Sequence, residues 1–190
     1  MPFFEMINSI DFGILDFIQN NFKSEFLDYI MAFFSYIGEA GIIWIVSSIV
    51  MLFFKKTRAM GAMSLCAMAI GYLIGEVGLK NIICRPRPFM QNSDVVLNIS
   101  PPSGYSFPSG HSCSSFAAAT VMLVRDKRFG IPALILAFLI AFSRLYNYVH
   151  FPSDVVCGII LGIICAVVVL VVFKKTKLDN RLSGGPKAER

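Results

Sequence analysis

His111 and His150 are the only two histidines in this 190-residue chain, and each stands at one end of a membrane-length apolar run. His111 closes Phe107-Pro108-Ser109-Gly110-His111 just before one run. His150 follows the next, between Ser143-Arg144 and Asp154. Asp154 can accept a hydrogen bond from one ring nitrogen of His150, orient the imidazole and leave the other nitrogen free to attack. Lys80 and Arg87 arrive from a third segment. Arginine offers a planar fork of donors that fits phosphate oxygens, and lysine adds a compact positive charge. The Pro108-Ser109-Gly110-His111 turn precedes an apolar run, so its backbone N–H groups open a helix N-terminus that suits an anion. Ser109 adds a hydroxyl and an N-cap, and Gly110 allows a ligand close to the backbone. Arg144 sits inside a mostly apolar run, where a charge is costly and marks function. Taken singly, these groups have plainer readings as an interface anchor, a capped turn and a buried His–Asp pair. Converging on one face, they read as a phosphate-handling active site at a membrane surface.

Those residues need helices to carry them. Five apolar segments, at about 42–54, 59–79, 112–124, 131–148 and 155–173, approach the ~20 residues that cross a bilayer. They must be helical, because lipid leaves an open chain no other way to satisfy its backbone. Basic clusters fall in alternate connections: Lys55, Lys56 and Arg58; then Arg125, Lys127 and Arg128; then Lys174, Lys175, Lys177 and Arg181. With these on the cytoplasmic side, the spans alternate without conflict. Every candidate site residue then lies on the non-cytoplasmic face. The fold class is an all-α polytopic helical bundle with five to six transmembrane helices, preceded by amphipathic helices.

Composition supports that class. The chain is 56% hydrophobic and 15% charged, below the ~25% charged residues of soluble domains, with a mean hydropathy of +0.68. The net charge of +5 sits in short clusters between apolar runs, which argues against a nucleic-acid groove. The five cysteines (Cys66, Cys84, Cys113, Cys157, Cys165) show neither a metal spacing nor a disulfide framework. No metal or other cofactor is expected. Residues 1–37 read as amphipathic helices in the outer interface, rich in carboxylates. The alternative is a sixth span at 24–38. Residues 38–178 form the transmembrane domain, and 179–190 read as a disordered tail.

Lys80 with Arg87-Pro88, then Pro108-Ser109-Gly110-His111, then Ser143-Arg144 with His150 and Asp154 resembles the three-part signature of the type 2 phosphatidic acid phosphatase superfamily. The resemblance covers residues 80–154 in order and spacing, and the chain's size is similar to the short bacterial phosphatidylglycerophosphatase-type and undecaprenyl pyrophosphate phosphatase-type members. It implies that His150 forms a phosphohistidine, Asp154 orients it and His111 protonates the leaving oxygen. Lys80, Arg87, Ser109, Gly110 and Arg144 would hold the phosphoryl oxygens, with no metal. Two auxiliary positions are open. Glu76, one turn before Lys80, either tunes or neutralises it; Arg85 either contacts a second phosphate or anchors a headgroup. The implied partner is a lipid phosphate or diphosphate in the bilayer, with undecaprenyl pyrophosphate preferred, in a bacterial plasma membrane. Alternatives are phosphatidylglycerol phosphate or phosphatidic acid as substrate, phosphoryl transfer to a lipid or sugar acceptor, and a non-catalytic lipid transporter. The sequence says nothing of oligomeric state.

Overall fold

The computed structural model describes residues 2–92 and 94–183. Among these residues there are helices and no strand. The order is α1 (Pro2–Phe22), α2 (Glu25–Ile37), α3 (Ile42–Leu52), α4 (Arg58–Tyr72), α5 (Lys80–Ile83), α6 (Pro88–Gln91), α7 (Gly110–Arg125), α8 (Lys127–Tyr146), α9 (Pro152–Lys175) and α10 (Leu178–Ser183). A π-helical stretch, Leu73–Leu79, joins α4 to α5. Such wide turns often occur at functional sites, and this one carries Glu76.

The central element is α7, which packs against α8, α9 and α4. Many of its inward residues are small: Ser112, Cys113, Ser115 and Ala117–Ala119 are all buried. Without much side-chain volume, neighbouring backbones can come close. Gly158 and Gly162 of α9 exploit this one turn apart. A Cβ at Gly158 would stand 2.5 Å from the Ser109 carbonyl oxygen, and one at Gly162 would stand 2.4 Å from that of Cys113. Trp44 of α3 adds a buried polar tie, its indole N–H donating to Ser115 Oγ at 2.9 Å.

Stretches 58–91, 127–146 and 152–175 are each long and apolar enough to cross a membrane, and α2 with α3 passes the same test as a pair bent by 44°. The expected five to six spans thus meet three such helices, or four with the bent pair. α7 is too short for that length test. The Ser109 cap starts it late and Asp126 ends it, so its 16 residues reach only about 24 Å. The bend between α2 and α3 has a local cause, because Ala40 (φ 49°) and Gly41 (φ 68°) both adopt left-handed backbone.

The basic clusters gather at one end. Arg125 pairs with Asp179 of α10 at 2.6 Å, and α10 packs against α4 and α9. Thus α10 overlaps the start of the stretch expected to be disordered; residues 184–190 lie outside those described. At the other end α1 rests on α8 and α9. Leu15 and Ile18 face the bundle, while Met6, Ile10 and Phe17 stay exposed. The five cysteines are unpaired.

Candidate active site

Local structure first sets the backbone. Ser109 caps α7, and its Oγ accepts from the Ser112 amide at 3.4 Å and the Ser112 hydroxyl at 2.9 Å. The Ser109 amide donates to the Asp154 carbonyl at 3.1 Å. The start of α7 is therefore tied directly to the first turn of α9. Pro152 opens α9 at a position where its missing N–H costs nothing. Asp154 reaches back one turn, its Oδ2 accepting the Phe151 amide at 2.9 Å.

Six of the expected residues, Lys80, Arg87, Gly110, His111, Arg144 and His150, line one cavity of about 1170 Å³, together with Glu76. Its other walls are largely apolar and include Ile45 of α3, Leu65 and Met68 of α4, and Leu73 of the π-helical stretch. Three expected residues do not line it. Ser109 is buried beneath Gly110, Asp154 stands behind His150, and Arg85 stands behind Asp154.

His150 is 2% exposed, and its two nitrogens have different neighbours. Nε2 lies 3.2 Å from Arg87 Nη1. A guanidinium only donates, so this nitrogen presents its lone pair and the ring proton sits on Nδ1. Nδ1 faces Asp154 Oδ2 at 3.7 Å and has no hydrogen-bond partner at this separation. Catalytic hydrogen bonds are often long without substrate and tighten in the complex. Burial pushes the His150 pKa down to about 3, with Arg87 and Arg144 acting in the same direction and Asp154 opposing. The ring is therefore neutral and nucleophilic at neutral pH.

The cations are held in different ways. Arg87 is 3% exposed and donates to the carbonyls of Gly104, Val149 and Ser103, each at 3.0 Å. Arg144 is buried, donates from Nη1 to Ser35 Oγ, and leaves Nε unpartnered. Lys80 bonds both oxygens of Glu76 at 2.7 Å. That carboxylate lies against Gly110, where a Cβ would meet Glu76 Oε1 at 2.3 Å. Glu76 thus rests at the N-terminus of α7, the position favourable to an anion.

His111 Nε2 lies 3.3 Å from the Ser35 carbonyl and 3.6 Å from Glu39 Oε2. A carbonyl only accepts, so Nε2 carries the proton. The cavity therefore combines a neutral imidazole whose lone pair meets Arg87, a protonated imidazole nitrogen and three cations. That set can attack phosphorus, protonate a leaving oxygen and neutralise developing charge. Among the described residues no three His, Cys, Asp and Glu side chains gather as a metal site.

Sequence reasoning missed three contributors. Ser35 and Glu39 border His111 but sit in an unremarkable apolar stretch. Asp11 did leave a signal, because it falls on the face of α1 shared by Ile7, Leu15 and Ile18, and a carboxylate in an apolar stripe needs a buried partner. That partner is Arg85, whose Nη2 lies 2.7 Å from Asp11 Oδ2.

Residues 61–178 match the family described as the PAP2 superfamily. An undecaprenyl-diphosphatase of Sulfolobus acidocaldarius is 36% identical over 137 residues, covering 72% of this chain and 66% of the relative. The undecaprenyl-diphosphatase BcrC of Bacillus subtilis is 32% identical over 110 residues, covering 58% of this chain and 54% of the relative. The chain thus spans less than two thirds of either relative's length. Among solved structures, a PAP2-type phosphatidylglycerolphosphate phosphatase from Bacillus subtilis superposes with a TM-score of 0.73 at 26% identity, covering 90% of this chain and 87% of that one. Aquifex aeolicus LpxE gives a TM-score of 0.77 at 29% identity, covering 85% and 95% respectively.

Proposed function

The chain belongs to the PAP2 superfamily, and from that premise we propose that it is a membrane lipid phosphatase using His150 as its nucleophile and undecaprenyl diphosphate as its substrate. The observation that carries this reading is the pair of environments around His150. Nε2 turns its lone pair toward the cavity beside Arg87, while Nδ1 turns its proton toward Asp154. The undecaprenyl diphosphate assignment rests on the two relatives bearing that activity in their names. The apolar walls from α3 and α4 suit a lipid whose tail stays in the bilayer.

In the proposed reaction the terminal phosphoryl group enters between Arg87, Arg144 and the start of α7. Its oxygens take the donors of Arg87 and the free Nε of Arg144, and Lys80 leaves Glu76 to join them. Arg87 then no longer shields the His150 lone pair. Nε2 attacks phosphorus, the P–N bond forms and the P–O bond to the lipid monophosphate breaks. His111, entering the step as the imidazolium, gives a ring proton to the departing oxygen and is left neutral. Water next attacks the phosphohistidine while His111 takes its proton, and cleavage of the P–N bond returns neutral His150 and inorganic phosphate. The cations stabilise the charge on the equatorial oxygens, and the reaction runs without a metal ion. The positive-inside pattern of the basic clusters supports a site on the non-cytoplasmic face of the membrane.

The test is phosphate release by purified protein in detergent containing EDTA. The panel is undecaprenyl diphosphate, phosphatidylglycerol phosphate, phosphatidic acid and diacylglycerol diphosphate. Turnover of the first above the others, lost in His150→Ala, is expected. Substantial activity in His150→Ala would sink the histidine nucleophile, and preference for another lipid would replace the substrate.

A further inference from the structure

Arg85 does not line the substrate cavity, so neither a second phosphate nor a lipid headgroup explains it. Both of its terminal nitrogens are already engaged. Nη1 donates to Asp154 Oδ1 at 2.7 Å and to Ser153 Oγ at 2.7 Å. Nη2 donates to Asp11 Oδ2 at 2.7 Å and to Asn8 Oδ1 at 2.9 Å. The guanidinium carbon lies 3.8 Å from the centre of the Phe151 ring, which covers one face. Asp11 is 3% exposed, and its Oδ1 also accepts the Ser153 amide at 2.9 Å. One carboxylate from α1 therefore grips both Arg85 and the first turn of α9.

We propose that Asp11 and Arg85 are positioning residues that hold the Asp154 carboxylate toward His150, which makes α1 a working part of the active site. The proposal rests on His150 being the nucleophile. Asp154 has two oxygens and three neighbours to satisfy. Oδ2 takes the Phe151 amide and faces Nδ1 of His150, so the rotation of the carboxylate depends on what holds Oδ1. Arg85 holds it, and Arg85 is itself fixed from behind by Asp11 and Asn8. A bidentate guanidinium spans both carboxylates, which a single ammonium would not do. Removing the grip of Asp11 frees Arg85 to follow Asp154 as it turns. His150 then loses the carboxylate that faces its Nδ1 proton, and part of the population carries that proton on Nε2, where attack is blocked. α1 lies outside the residues 61–178 that match the family.

With only two imidazoles in the chain, the tautomer is directly readable. The full-length protein would be labelled with [15N]histidine and observed in detergent by NMR, His111→Gln assigning the second signal. Wild type is expected to show His150 protonated on Nδ1. Asp11→Asn should show a mixture of tautomers, a 10- to 100-fold fall in kcat and a KM within twofold of wild type. Asp16→Asn is the control on the same helix. Asp16 accepts from the Tyr148 hydroxyl at 3.1 Å without touching Arg85, so it should keep kcat within twofold. An unchanged His150 tautomer in Asp11→Asn overturns the bridge whatever kcat does. So does an equal loss of kcat in Asp16→Asn, which would make the effect one of helix docking alone. If Asp11→Asn does not fold, Arg85→Lys asks the same question, and an unchanged tautomer there refutes it equally. If wild type turns over no lipid phosphate, the phosphatase reading fails on its own, and the tautomer measurement still decides the bridge.

Discussion

Gly158→Ala should disable the enzyme without touching any group that meets the substrate. A Cβ at this position would stand 2.5 Å from the Ser109 carbonyl oxygen, while ordinary contact begins at 3.4 Å. The shortfall is therefore about 0.9 Å, and the opposing atom is backbone, which cannot rotate away. Either α9 withdraws from α7 or the Ser109 turn shifts. Both movements strain the Ser109 amide bond to the Asp154 carbonyl, 3.1 Å in length, and separate Asp154 and His150 from the phosphate-binding end of α7. A misplacement near 1 Å costs on the order of 100-fold in rate, and overpacking costs about 1–3 kcal/mol of stability. The assay is steady-state phosphate release by detergent-purified protein, run well below the midpoint of a thermal melt on the same sample. The expected result is a kcat lower by about two orders of magnitude in protein that is still folded. Wild-type kcat with an unchanged melting temperature would refute the claim that close α7–α9 contact registers the site.

Three further outcomes follow from the geometry. Glu76→Gln removes a carboxylate resting at the anion-binding end of α7 and releases Lys80, so inhibition by vanadate should tighten several-fold, and weaker inhibition would show that Glu76 supports the anion site. Ser109→Ala loses the N-cap of α7, a change worth about 1 kcal/mol, and should lower both melting temperature and kcat; a change in neither would contradict its place in the site. The third concerns pH. His150 is held at about 3 by burial against about 6.5 in the unfolded chain, so below pH 6.5 the unfolded state binds the extra proton. Its neutral burial therefore costs nothing above about pH 6.5, and stability should fall by up to ~1.4 kcal/mol per unit as pH drops from there toward 3. Melts of wild type and His150→Gln across this range should diverge, and parallel curves would contradict the buried neutral ring.

How much of this was legible in the sequence depends on the range over which each residue acts. Hydropathy marked every helix that carries the site, because burying an unpaired backbone in lipid is costly enough to dominate local preference. How α2 and α3 join was not legible, since their bend depends on left-handed backbone at Ala40 and Gly41. The length of α7 depends on its caps. The three clusters were legible because phosphate chemistry restricts residue type, and the spacing of each cluster is local. Asp154 sits four residues from His150, and Gly110 and His111 open one helix. What each cation does was not legible. Arg87 and Arg85 are two residues apart with the same side chain. One reaches His150 and three loop carbonyls; the other grips Asp154 and Asp11 from behind.

The sequence alone thus determined the class of fold and most of the charged and imidazole side chains that line the cavity. Only the tertiary structure decided which nitrogen of His150 is free, that Glu76 occupies the end of α7, and that Asp11 belongs with Arg85. The physical reason is that hydrophobic periodicity and residue chemistry are properties of short segments. Hydrogen-bond partners at about 3 Å are chosen by how distant helices pack, here through Gly158 and Gly162 on α9 and through α1 against α9.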